Sequence, residues 1–193
     1  MGLAILILGL IVMLGAHVFV TFRGARARLI ERLGQNGYRG LFSVVSLAGL
    51  ALILWGYGEY RAHEWVAIWS PPAFMRHVTE GLMFFAAIFA VAAFIPSRTK
   101  AMLKHPMLAS VKTWALAHLL SNGDLGSIIL FGSFLAWGVY ARIAAKRRGD
   151  VGATTAPAGW RNDIIVAVVG VALYLVLGSV FHTYVIGVPA FGG

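Results

Sequence analysis

Long apolar runs, broken at intervals by short polar stretches, organise this sequence and predict helices rather than strands. Residues 1–22 carry no charged side chain, so 2–22 read as a first membrane span. An unbroken apolar run of that length suits a helix bathed in lipid, which needs no polar face. Comparable runs follow at 41–58, 73–95, 107–120, 125–143 and 164–186. The fold class they imply is all-α: one transmembrane domain over residues 1–193, a polytopic integral membrane bundle of about six transmembrane helices. The fourth run is anomalous. Its ~14 residues rise about 21 Å, short of a hydrocarbon core of roughly 30 Å, so it is either extended by its neighbours, set where the bilayer thins, or re-entrant.

The polar stretches read as connectors. Arg23 to Arg39 is a basic loop ending in the turn-like Gly34-Gln35-Asn36-Gly37. Glu59 to Pro72 mixes Arg61, His63 and Glu64 with Trp65 and Trp69, and tryptophans flanking a span read as interfacial anchors. Pro96-Ser97 stops the third run, and Arg98, Lys100 and Lys104 lead through His105-Pro106 into the fourth. Ser121-Asn122-Gly123-Asp124 is a tight turn, and 146–158 is expected to be a flexible hydrophilic loop.

Charge sets the expected orientation. The connectors after runs 1, 3 and 5 hold Arg23, Arg26, Arg28, Arg32, Arg39, Arg98, Lys100, Lys104, Arg142, Lys146, Arg147, Arg148 and Arg161. Arg61 and Arg76 lie on the other side, and Lys112 sits inside run 4. Basic loops stay in the cytoplasm, so both termini are expected on the outer face of the bacterial inner membrane. The first basic cluster follows the first run instead of preceding it, the reverse of a cleaved signal peptide. A composition of 60% hydrophobic and 12% charged residues with mean hydropathy +0.82 agrees with a membrane class. The net charge of +9 is spread over these connectors, which argues against a nucleic-acid partner and leaves membrane lipid as the expected one. With no cysteine, thiolate metal sites, Cys nucleophiles and disulfides are excluded.

Candidate chemistry falls to the histidines, because ionisable groups within a span are costly and mark function by default. His17, His77, His118 and His182 lie in spans, and His63 and His105 in connectors. Imidazole is the common axial ligand of b-type haem, and it also relays protons or binds other metals. On helical spacing the His182 face carries Leu175, Gly178, Ser179 and Ile186, and a glycine one turn away leaves room for a flat macrocycle. Each histidine equally suits a bundle-bracing hydrogen bond. Glu80 lies one turn from Arg76 and His77, as an ordinary i,i+4 pair would. Lys112 either snorkels to the interface or meets an anionic group such as a haem propionate. There is no phosphate-binding glycine loop, H-E-x-x-H or nucleophile elbow. Whether the chain is an enzyme is left open.

Several stretches resemble one family. Gly15-Ala16-His17, Gly37-Tyr38-Arg39-Gly40-Leu41-Phe42-Ser43, Trp55-Gly56-Tyr57-Gly58, Lys104-His105-Pro106-Met107 and the run Trp114 to Asp124 resemble NnrU proteins, over roughly residues 1–148. These are bacterial membrane proteins associated with denitrification and nitric oxide metabolism. The family is similar to the plant 15-cis-zeta-carotene isomerase, a haem b enzyme. That resemblance implies haem b with His17 and His118 as axial ligands of the iron and His105 as the counterpart of the histidine in the isomerase's H-P turn; His105 and, as the propionate partner, Lys112 are the expected secondary contacts. The isomerase carries a cysteine one turn before its second haem histidine where this chain has Ala115, so a thiolate switch does not carry over. At helical rise, His17 and His118 differ in expected depth by about 10 Å, and His17 with His105 or His77 with His182 are the alternative pairs. The expected function is redox or gas-ligand chemistry at haem, linked to nitric oxide or nitrite. The rivals are a haem-dependent cis–trans isomerase of a polyene or isoprenoid lipid, and a haem-free assembly or transport factor.

Overall fold

Lipid offers no hydrogen-bond partner to a peptide group, so a chain this apolar must satisfy its amides within each segment, and the helix does so. The computed structural model describes residues 1–191. Among these residues there are seven helices: α1 (Gly2–Phe19), α2 (Arg23–His63), α3 (Met75–Ala92), α4 (Arg98–Leu103), α5 (Pro106–Ser121), α6 (Leu125–Arg147) and α7 (Arg161–Leu175). The last continues in wider, π-type turns over Val176–Ile186. Five of them (α1, α2, α3, α6 and α7 with its extension) are long and apolar enough to cross a membrane. No more than 22% of the most apolar window of any of these five is buried within the protein, so most of their apolar surface is left for lipid. The chain is therefore a helical membrane protein. Helix α5, at 16 residues, rises about 24 Å and stays the short segment that the sequence indicates.

The connectors depart most from expectation. The basic stretch 23–39 is helical, apart from Gly34, whose φ of 71° and ψ of 164° break α2 in two. Arginine, alanine, leucine and glutamate are good helix formers, and their polarity marks the edge of the lipid, not the end of the helix. The second span accordingly runs on to His63, beyond 58. Residues 98–103 form α4, started by Ser97, whose Oγ accepts from Lys100 N at 3.1 Å.

The described residues divide into two compact units, one of Met1–Ser70 with Asn122–Ala144 and one of Pro71–Ser121 with the described residues from Ala145 on. In unit 1, α1 and α2 approach backbone to backbone through glycines seven residues apart on each helix, Gly2 and Gly9 against Gly49 and Gly56. A Cβ on Gly49 would lie 2.7 Å from Met13 N, and one on Gly9 would lie 2.7 Å from Ile53 N. Small residues of this kind let helices touch where lipid supplies no hydrophobic drive. Glu64 accepts from the amides of Gly2 and Leu3 at 2.7 and 3.1 Å, which closes the amino end of α1. Asp124 does the same for α6 by accepting from Ser127 N at 2.9 Å, while Ser127 Oγ meets Tyr57 Oη at 2.7 Å. The Trp65–Trp69 connector is fixed to this turn through Val66 O, which accepts from Leu125 N at 2.9 Å.

In unit 2, α3 holds α5 by two hydroxyls: Thr79 Oγ1 donates to Ala117 O at 2.9 Å and buried Ser110 Oγ to Ala86 O at 2.8 Å. Gly170 brings α7 against Ile88 of α3. Asp163 on α7 caps α4 by accepting from Thr99 N and Oγ1, both at 3.0 Å, and the Arg98 guanidinium lies 4.0 Å over the Trp160 ring. The 146–158 loop is tied down at its centre. Ala153 N donates to Lys104 O at 2.9 Å, and Gly152, at φ +71°, packs on the same carbonyl. Lys104 itself has φ 62°, so the Lys-His-Pro turn is a conformation that this loop stabilises.

Replacing Gly49 with Leu should therefore drive α1 from α2 and cost about 2–3 kcal/mol or more. Thermal unfolding in detergent checks this against Gly58→Leu, whose Cβ would meet nothing within 4 Å. Equal losses in the two variants would contradict the glycine contact.

Candidate functional site

A histidine in a membrane helix can satisfy one ring nitrogen on its own helix, and all three interior histidines do so. His17 Nδ1 lies 2.8 Å from Met13 O, His118 Nδ1 2.9 Å from Trp114 O, and His182 Nδ1 2.8 Å from Leu177 O. A carbonyl only accepts, so Nδ1 carries the proton and, in the neutral ring, Nε2 carries the lone pair. This is the tautomer of a ligating imidazole, whose second nitrogen is normally anchored in this way. His17 and His118 reach back four residues, whereas His182 reaches back five because the π-type turns widen the helix there.

Unit 2 brings two of these rings together. The centroids of His118 and His182 are 6.0 Å apart with their planes 23° from parallel. The two rings are therefore neighbours in a stacked arrangement within one unit. The Trp114 ring stands 5.4 Å from His118, and the Phe181 ring 6.2 Å from His182. The expectation of open room beside Gly178 is corrected: the Phe191 ring lies over that glycine and packs against Tyr174 at 5.2 Å. The small residue seats an aromatic side chain, which helical spacing could not foretell.

His17 belongs to unit 1, so the expected partners His17 and His118 are each defined by their own surroundings. His17 is ringed by Phe42 at 5.1 Å and Trp137 at 5.5 Å. A groove of about 400 Å³ in the same unit is lined by Leu10, Leu14, Gly15 and Val18 of α1 and by Ile129 and Ser133 of α6, on a face of α1 that does not include His17. His105 stands at the Lys-His-Pro turn, where its Nε2 donates to Asp150 O at 3.3 Å at an exposed position. Lys112 is half-buried on α5. Glu80 accepts from Arg76 Nε at 3.3 Å and lies 3.5 Å from the exposed His77, the ordinary surface pair. His63 is exposed beside Glu59.

Among the described residues no three His, Cys, Asp or Glu side chains converge. A bare structural ion such as zinc wants four protein ligands. A porphyrin brings four nitrogens of its own and asks the protein for one or two. The companionship of His182 with His118 escaped the sequence because the π-type turns change which residues share its face. Compared with known proteins, the model of the family described as NnrU protein matches residues 5–190, the last span included. No curated protein and no solved structure matches.

Nitrogen NMR on ¹⁵N-histidine-labelled protein in micelles should show His17, His118 and His182 as Nδ1–H tautomers when free of metal. Nε2–H tautomers at these positions would contradict the anchoring.

Proposed function

The chain belongs to the NnrU family, and from that premise we propose that it holds haem b within the membrane, with His118 as an axial ligand, for redox or gas-ligand chemistry tied to nitric oxide or nitrite. The observation that carries this reading is His118 itself. Its Nδ1 is anchored on Trp114 O at 2.9 Å, and a second anchored imidazole, His182, lies 6.0 Å away. His118 is also the histidine that the family resemblance pairs with His17. The nitric oxide and nitrite link rests on that family resemblance. The proposed location is the bacterial inner membrane with both termini outside, supported by the distribution of basic residues.

The residues have definable tasks. His118 and its companion would bind the iron through Nε2, and their Nδ1–H bonds to backbone carbonyls would fix ring orientation and raise ligand basicity. Trp114 and Phe181 supply an apolar wall that limits water. Bound there, haem supplies an iron that changes oxidation state and takes small diatomic ligands. His182, in the same unit as His118, is the imidazole that would complete the ligand pair.

Protein purified in detergent from haem-supplemented cells should show a Soret band that His118→Ala shifts or abolishes. His182→Ala should convert the spectrum from six- to five-coordinate, and His17→Ala should leave it unchanged. A colourless preparation, or a His118→Ala variant with an unchanged Soret band, would overturn the proposal.

A further inference from the structure

Unit 1 has an excess of buried hydrogen-bond donors with nothing to donate to. Among the described residues, the donors Arg26 Nε, Tyr38 Oη, Ser46 Oγ, Trp137 Nε1 and Arg142 Nη1 are inaccessible to solvent and without a partner, and the remaining atom of this kind, Asp124 Oδ2, is an acceptor at the opposite, amino end of α6. All five lie in unit 1, and each is a group that donates. Buried polar atoms are normally paired, and a set of donors lacking acceptors calls for an anion.

Three of the five, Arg26, Tyr38 and Trp137, are joined by a chain of ring contacts that passes through His17. The Arg26 guanidinium lies 5.3 Å over the Tyr38 ring, Tyr38 is 6.4 Å from Phe42, Phe42 5.1 Å from His17, and His17 5.5 Å from Trp137. Tyr38, Phe42 and Ser46 follow one another at intervals of four on α2 and share a face. Arg142 follows Trp137 on α6, and between them Tyr140 Oη meets Thr21 Oγ1 at 2.9 Å, which brings this end of α6 to the start of α2. No carboxylate answers the charge. Glu31 is the one acidic residue in 23–58 and is exposed, α6 has none, and no ion pair among the described residues involves Arg26 or Arg142.

The groove supplies the other half of a ligand. It starts at Val18 and Gly15, and at Ser133, one turn before Trp137, and runs back to Ile7. Its wall is aliphatic apart from Ser133. The Ile7–Val18 stretch rises about 16 Å, a length that an acyl chain fills. An anion at one end of an apolar trough describes an amphiphile.

We propose that unit 1 binds one anionic phospholipid, its phosphate on the donors of Arg26 and Tyr38, which are in direct contact, and one acyl chain in the α1–α6 groove. The Arg26 guanidinium selects for negative charge, since Arg matches phosphate with paired N–H groups. The aliphatic trough distinguishes a lipid from free phosphate. The site stands independently of haem.

The test is thermal stability of delipidated full-length protein in neutral detergent, titrated with phosphatidylglycerol, with phosphatidylcholine and with inorganic phosphate. Phosphatidylglycerol should raise the melting temperature saturably, and the other two should not. Arg26→Gln combined with Tyr38→Phe should weaken the midpoint about tenfold or more, as loss of a charge-assisted bond implies. Arg147→Gln with Arg148→Gln, on the exposed end of α6, should leave it unchanged. Ile11→Trp, placed on the accessible side of the groove, should weaken the midpoint without touching the charges, and it keeps the test alive if the double variant fails to fold. Equal responses to the two lipids, a phosphate response matching that of phosphatidylglycerol, or an unchanged midpoint in the site variants would overturn the proposal.

Discussion

A hydrocarbon solvent that accepts and donates no hydrogen bonds is the constraint on which this molecule depends. Every backbone amide has to be satisfied by the chain, and so does every polar side chain that enters a span. The histidines show the consequence at single-residue scale. Each interior ring spends its Nδ1 proton on a carbonyl of its own helix, which fixes the tautomer, limits the rotamer and leaves Nε2 as the nitrogen with a lone pair. An arrangement that first solves a solvation problem thereby yields a ligand.

The same constraint governs packing. Apolar side chains gain little by leaving lipid for protein, so contact between helices rests on close backbone approach and on a few hydroxyls. Gly9 and Gly49 provide the first in unit 1, and Thr79 and Ser110 the second in unit 2. At the helix ends Glu64, Asp124 and Asp163 close amino termini that water would otherwise serve. Arg26 and Arg142 fit neither pattern. Their buried, unanswered nitrogens are a reason to look for a ligand, not for a structural role.

Hydropathy made most of the fold legible. The runs at 2–22, 73–95, 125–143 and 164–186 locate α1, α3, α6 and the α7 helix with small errors at the ends. Hydropathy fails where helix and lipid boundary part company. Arg23 to Leu33 is helical although polar, and a single glycine, not the whole Gly-Gln-Asn-Gly turn, interrupts α2. The candidate site was legible as a set of histidines but not as an arrangement. The proximity of His182 to His118 depends on π-type turns that no residue in Val176–Ile186 announces, and Phe191 occupies the space that Gly178 had suggested was open. The aromatic neighbours of His17, Phe42 on α2 and Trp137 on α6, come from helices distant in sequence and emerge only in the packed unit.

Electron paramagnetic resonance of the oxidised, haem-loaded protein tests the central claim most directly, because it reports the axial ligands of the iron. The account predicts a low-spin signal of two neutral imidazoles that is lost in His118→Ala. A high-spin signal in the wild-type protein, or a low-spin signal indifferent to His118, would contradict it.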